Sequence, residues 1–180
     1  IATIAPALKD RVIIVNGVSK TYSMTGWRIG YAAGPADIIK AMTNIQSQST
    51  SNPTSIAQKA SLAALNGPQD FIALMTREFD KRRTYMVDRF NKIPGISCFM
   101  PTGAFYTFPN VAKLFGRKSG SHTITDSNSF AAYLLESVNV AVVAGGGFGA
   151  DNNIRLSYAT SFENIERGLD RIEKAVAALS

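Results

Sequence analysis

The sequence contains one cysteine, one histidine and one tryptophan in 180 residues. A lone cysteine, Cys98, cannot form an internal disulfide, so the composition is typical of a protein in the reducing cytoplasm. With His122 as the single histidine and no cysteine pair, the sequence offers no ligand set for zinc, and we predict no metal site. No apolar run approaches the roughly 20 residues that a membrane span needs, and no signal peptide opens the chain. These absences favour a cytoplasmic protein.

Positive charge is in excess, but it is not organised for binding a polyanion. The formal net charge is +6, and 18% of the residues are charged. The densest basic cluster, between Arg77 and Arg83, is interrupted by Glu78 and Asp80 and carries no nucleic-acid motif, which is typical of a solvated helix face. The apolar fraction of 46% provides a substantial core. We therefore expect a globular protein that binds neither nucleic acid nor membrane.

The most informative stretch spans residues 16–31. A continuous apolar run, Val12 to Val15, precedes it and predicts a buried strand. Lys20 follows in a polar loop, and Arg28 comes eight residues later, before a second apolar run from Ile29 to Ala33. A lysine at the rim of a buried sheet loses solvent, which favours the amine that attacks carbonyls, and an arginine suits a phosphate. This pair predicts a site for pyridoxal phosphate.

The same stretch carries a family resemblance. The attachment-site motif of the class I/II aminotransferases, which are fold type I enzymes, resembles residues 17–30, GVSKTYSMTGWRIG, and the bacterial aspartate aminotransferase type is the most similar. Two later segments, residues 101–106 (PTGAFY) and 153–159 (NIRLSYA), resemble further landmarks of that family. The resemblance covers nearly the whole chain, and its motif is long enough to be specific.

The resemblance implies roles for three residues. Lys20 binds the aldehyde of the cofactor covalently and transfers a proton from the substrate α-carbon, and Arg28 pairs with the cofactor phosphate. Arg155 grips the α-carboxylate of the substrate with two parallel hydrogen bonds. The family pattern often has a hydroxyl where Gly17 stands, and Ser19 is a possible substitute. Without the family, the alternatives are a surface lysine, an ion pair between strands and a solvated edge-strand arginine.

Periodicity predicts a mixed α/β protein. By resemblance, residues 1–67 are the C-terminal part of a large cofactor-binding domain with a mixed sheet, 68–92 form a helix linking two domains, and 93–180 form a small α+β domain. Strands are predicted at 12–15, 29–33, 141–143 and 154–159, with a strand pair within 96–108. Helices are predicted after Pro35 and Pro53, around Phe130 and at the C-terminus, where Thr160–Glu163 fits a capping box. Loops are predicted at 46–52, 116–125 and 145–149.

The implied function is pyridoxal-phosphate-dependent transamination in a homodimer, with aspartate and 2-oxoglutarate as the first candidate substrates. The family also needs an aspartate and a tyrosine on the cofactor ring, and no residue among the first nineteen replaces them, so we expect the 180 residues alone to be an inactive C-terminal portion. Three alternatives stay open. They are an aromatic or alanine aminotransferase, a lyase of the same fold, and a non-catalytic α/β module that acts by protein association.

Overall fold

The computed structural model describes residues 3–180, which form two compact units. The first unit ends at Ala73, and the second runs from Leu74 to Ser180. The boundary therefore falls inside a helix of 23 residues, Asp70–Lys92. No helix within residues 3–180 is both long and apolar enough to cross a membrane.

The first unit combines a two-stranded antiparallel ribbon with helices. Gly17 lies opposite Gly30 in the ribbon, and the residues between the two strands form the loop that carries Lys20. The predicted helix after Pro35 is confirmed, but the predicted loop at 46–52 is wrong in its first half, because that helix continues to Ser49. The elements are β1 (Ile14–Gly17), β2 (Gly30–Ala33), α1 (Ala36–Ser49), α2 (Ser55–Asn66) and α3 (Asp70–Lys92).

The prediction of a buried strand at Val12–Val15 is wrong in bounds and in burial. β1 starts at Ile14, and the exposed fractions of Ile14 and Val15 are 44% and 77%. Within residues 3–180, β1 pairs with β2 alone. A ribbon of two strands covers little of either face, so apolar side chains on it remain accessible to water.

The second unit contains a closed hydrophobic core. A three-stranded antiparallel sheet in the order β3-β7-β6 and a small hairpin, β4-β5, pack with α4 and α5. Phe130 and Leu134 of α4, Ile172 of α5 and Phe90 of α3 are fully buried in this core. The elements are β3 (Tyr106–Thr107), β4 (Lys118–Ser119), β5 (His122–Thr123), α4 (Ser127–Val138), β6 (Val143–Ala144), β7 (Ile154–Ser157) and α5 (Phe162–Ala177). The expected mixed α/β class is confirmed.

The C-terminal helix follows its sequence pattern closely. Ile165, Leu169 and Ile172 recur at three- and four-residue steps, and all are buried. The capping box predicted at Thr160–Glu163 is wrong by one residue, because the Ser161 hydroxyl accepts the backbone N–H of the residue three positions later at 3.2 Å. The helix therefore begins with an ordinary serine N-cap.

Three predicted connections differ from the structure. The strand pair expected within 96–108 reduces to β3, since Pro101 and a left-handed Ala104 (φ +61°) interrupt the extended chain. The polar loop expected at 116–125 contains the β4-β5 hairpin, which turns at Gly120 with φ +57°. The glycine-rich loop expected at 145–149 is a 3-10 turn, Gly145–Phe148.

Two fully buried hydroxyls in the second unit form a matched pair for a stability test. Among residues 3–180, no group hydrogen-bonds the hydroxyl of Thr107, whereas the Ser127 hydroxyl donates to Asp151 at 2.5 Å and accepts the Gly146 N–H at 3.1 Å. We expect Thr107→Val to raise the free energy of unfolding by about 1 kcal/mol and Ser127→Ala to lower it by about 1–2 kcal/mol. Urea denaturation of the full-length protein measures both, and equal losses would contradict the difference in partners.

Candidate active site

The loop that carries Lys20, residues 18–28, is a compact turn and is called the lysine loop below. Two buried side chains anchor it, Val18 with an exposed fraction of 1% and Met24 with 8%. The Tyr22 backbone N–H donates to the Val18 carbonyl at 3.2 Å, and the Met24 N–H donates to the Ser19 carbonyl at 3.0 Å. Lys20 itself is exposed. The apolar anchors thus fix a turn from which the lysine points outward.

A side-chain contact fastens the lysine loop to the junction between α2 and α3. The Tyr22 hydroxyl donates to Gln69 Oε1 at 2.9 Å, and Gln69 Nε2 donates to the Gly67 carbonyl at 2.7 Å. The rings of Tyr22 and Phe71 lie 5.9 Å apart. The loop is therefore positioned by the rest of the first unit as well as by its own backbone.

Arg28 ends the lysine loop in a strained conformation. Its backbone is left-handed, with φ +50° and ψ +50°, which costs a residue with a Cβ about 1 kcal/mol. Its Nη1 donates to the Thr25 carbonyl at 3.0 Å. No carboxylate among residues 3–180 lies within ion-pair distance of it. The alternative of an ion pair between strands finds no partner in this part of the chain.

The first unit thus presents an amine and a guanidinium on one loop. The expected loss of solvent around Lys20 is not found, because Lys20 is exposed and the strand β1 that precedes it is largely exposed as well. An amine reacts with aldehydes and a guanidinium without an acidic partner binds phosphate, so the donor set fits a phosphorylated aldehyde.

Arg155 lies in the second unit, on the central strand of the three-stranded sheet. The alternative of an edge-strand arginine in solvent is therefore wrong. Its guanidinium carbon sits 4.4 Å from the centre of the Tyr106 ring and 4.7 Å from the centre of the Phe148 ring. The half-buried side chain forms no hydrogen bond or ion pair with any residue in 3–180. Its N–H donors are thus available to an anion.

Tyr106 and Phe148, the two aromatic neighbours of Arg155, were not predicted from the sequence. They lie 42 positions apart in the chain (148 − 106), and the Arg155 guanidinium carbon lies over both of their rings. No spacing rule connects three residues from β3, a 3-10 turn and β7. Only the pairing of β3 with β7 would have signalled the contact to Tyr106, and each of these strands is short.

The turn before β3 is fastened by polar contacts within the second unit. The Tyr158 hydroxyl donates to the Ala104 carbonyl at 3.0 Å, and Arg83 Nη1 donates to the Pro101 carbonyl at 2.7 Å. Desolvation by burial raises the pKa of Tyr158 above its ordinary value, so the hydroxyl stays a donor. These bonds fix the chain that leads into Tyr106.

No group of three or more acidic, histidine or cysteine side chains within residues 3–180 could hold a metal ion.

Comparison with known proteins points to one family. The profile of the family described as aminotransferase class I and II matches residues 1–172. An aspartate aminotransferase of Geobacillus stearothermophilus is 52% identical over 178 residues, which are 99% of this chain and 44% of the relative. A probable aspartate/prephenate aminotransferase of Rickettsia conorii is 53% identical over 177 residues, 98% of this chain and 44% of the relative.

A solved structure agrees. The crystal structure of the aspartate aminotransferase from Rhizobium meliloti matches with a TM-score of 0.94 and 50% identity, over 99% of this chain and 45% of that one. The chain thus spans less than half the length of the relatives it matches, and the resemblance predicted from the lysine motif is confirmed. Since the family profile covers nearly all of the sequence, the chain belongs to the aminotransferase class I and II family.

Proposed function

We propose that the full-length protein is a pyridoxal-phosphate-dependent aminotransferase that moves the amino group of aspartate to a 2-oxo acid, with 2-oxoglutarate as the first candidate. The observation that carries the proposal is the lysine loop, where Lys20 and an Arg28 without an acidic partner in residues 3–180 share one anchored turn. The names of the relatives support aspartate as the donor. The Rickettsia conorii relative makes prephenate a second oxo acid to assay.

The residues of the lysine loop divide the work of holding the cofactor. Lys20 Nζ would hold the cofactor through its aldehyde carbon, with release of water, and Arg28 would neutralise the phosphate. When bound, pyridoxal phosphate accepts the electron pair that is left on the substrate α-carbon after the proton departs. The Lys20 amine would be the base that takes this proton. One exposed amine therefore serves in attachment and in proton transfer.

Arg155 supplies substrate binding. Every amino-acid substrate carries an α-carboxylate, and a guanidinium without an acidic partner in residues 3–180 can donate two parallel hydrogen bonds to it. In this proposal residues 1–67 belong to a large cofactor-binding domain, 68–92 link it to a small domain, and 93–180 form that small domain. The active protein is a cytoplasmic homodimer, and the 180 residues alone are inactive because the residues that contact the cofactor ring lie upstream.

A trapping experiment tests the assignment of Lys20. The full-length protein is mixed with pyridoxal phosphate, reduced with borohydride and digested, and its peptides are weighed. We expect the phosphopyridoxyl mass on the peptide that contains Lys20 and an absorbance band that is lost on reduction. Lys9 and Lys40, exposed lysines of the same unit, are internal controls. Equal labelling of all three, or none, would favour the non-catalytic association module.

A further inference from the structure

We propose that Tyr106 and Phe148 are positioning residues that clamp the two faces of the Arg155 guanidinium and leave its edge for the substrate carboxylate. The proposal rests on the role of Arg155 proposed above. It adds what orients Arg155 for carboxylate binding, namely the two rings whose centres lie 4.4 and 4.7 Å from the guanidinium carbon.

Sheet register places the first ring. Tyr106 on β3 lies directly opposite Ser157 on β7, and Arg155 is two residues before Ser157. Residues two apart on a strand share a face, so Arg155 is the diagonal neighbour of Tyr106, a separation that an aromatic ring and a long side chain can bridge. The first face of the clamp follows from the pairing of these two strands.

A glycine turn places the second ring. Phe148 ends the 3-10 turn that begins at Gly145, whose N–H donates to the Asn153 carbonyl at 2.8 Å. A Cβ on Gly145 would collide with the backbone carbonyls of Ala150 and Asn153, so this close approach requires glycine. The turn brings Phe148 over Arg155 although the ring is 51% exposed. The Phe148 ring contacts the Arg155 guanidinium on this side and also lies edge-to-face with Phe108 at 6.2 Å.

The clamp fixes the direction in which Arg155 can bind. The N–H donors of a guanidinium lie in its plane, and its faces attract the negative face of an aromatic ring. In the proposed clamp each ring covers one face, so the in-plane edge remains for hydrogen bonding. No carboxylate in residues 3–180 pairs with it. A carboxylate has two oxygens at the spacing of this edge. The rings therefore orient the guanidinium before substrate arrives and restrict its rotation.

The clamp can be tested by NMR independently of catalysis. In the full-length protein, the Arg155 Nε–H resonance, assigned by its loss in Arg155→Lys, is expected upfield of the Arg167 resonance because two ring currents act on it. Phe148→Leu and Tyr106→Leu should each move it toward the Arg167 position, whereas Phe148→Tyr and Tyr106→Phe, which keep a ring, should not. A resonance that the leucine variants leave in place would overturn the clamp.

Carboxylate binding provides the second readout. Succinate, a dicarboxylate without an amino group, is titrated calorimetrically into the loaded full-length enzyme. We expect Phe148→Leu and Tyr106→Leu each to weaken succinate binding about three- to tenfold, with recovery in Phe148→Tyr and Tyr106→Phe. Phe99→Leu, which removes a ring that is 85% exposed, should leave binding unchanged. Should Tyr106→Leu fail to fold, the more exposed Phe148 carries the test.

The outcomes distinguish failure of the clamp from failure of the proposed role of Arg155 in binding the substrate carboxylate. If Arg155→Lys leaves succinate binding unchanged, Arg155 has no role in carboxylate binding and the proposed substrate site fails, whatever the NMR shows about stacking. If Arg155→Lys weakens binding but neither leucine variant does, the substrate site stands and the positioning role of the two rings is overturned. Weaker succinate binding in Arg155→Lys and in the two leucine variants, together with ring-dependent chemical shifts, supports the clamp.

Discussion

Replacing Lys20 by alanine in the full-length protein is expected to lower the rate of transamination by about three orders of magnitude or more, because one side chain supplies both covalent attachment and proton transfer. The fold should survive. Lys20 is exposed, and the lysine loop is anchored by Val18, Met24 and backbone hydrogen bonds that alanine preserves. The measurement is release of the 2-oxo acid from aspartate at saturating cofactor, beside circular dichroism of the same sample.

A matched variant shows that the effect is local. Lys40→Ala removes another exposed lysine of the first unit, from α1, to which no role is assigned. It should keep the activity of the parent protein. If Lys20→Ala retained near-normal turnover with a native spectrum, the amine would be excluded as catalyst and the lysine loop would be only a structural connection.

The parts of the fold that follow from local sequence were predictable. The stripe Ile165, Leu169, Ile172 belongs to one helix, and its period of three and four is visible in any window of the sequence. The length of α3 was also predictable, since the chain between Pro68 and Pro94 contains neither glycine nor proline. In both cases the residues that determine the element lie within it.

Burial of β1 was not predictable, because it depends on what lies against the strand. The residues Val12 to Val15 have the composition of a central strand, and the prediction assumed neighbours on both sides. In residues 3–180 the strand has one neighbour, and Val15 is 77% exposed. Apolar composition indicates that a strand can be buried, whereas the burial itself is a property of the surrounding layers.

The candidate site likewise has a part that was predictable from local sequence and a part that was not. Lys20 and Arg28 were predicted because they belong to one continuous motif, and the structure adds that the motif is an anchored turn with a left-handed arginine. The aromatic environment of Arg155 was missed because it comes from strand pairing and from a glycine turn. A contact between β3 and β7 joins residues about 50 positions apart, and a two-residue strand such as β3 carries too little pattern to set the register.

Arg155→Lys is the substitution that isolates this arginine, since it keeps the positive charge and removes the planar fork. We expect KM for aspartate to rise and kcat to fall together, with a combined loss in kcat/KM of about tenfold to a hundredfold, because a lysine cannot form the two parallel bonds or fill the space between two rings. Steady-state kinetics of the full-length protein measure both constants.

The control for Arg155 is Arg167→Lys on α5. Arg167 is exposed and donates to the Asn164 side chain at 2.8 Å, within its own helix. Its replacement should leave both constants unchanged. A rise in KM alone for Arg155→Lys would mean that the guanidinium contributes equally to the ground state and the transition state, whereas an equal fall in kcat and kcat/KM would place its contribution in the transition state alone. The expected combination, a rise in KM with a fall in kcat, indicates a contribution to both. Unchanged constants would remove Arg155 from the site and leave its two aromatic neighbours as a packing feature of the small sheet.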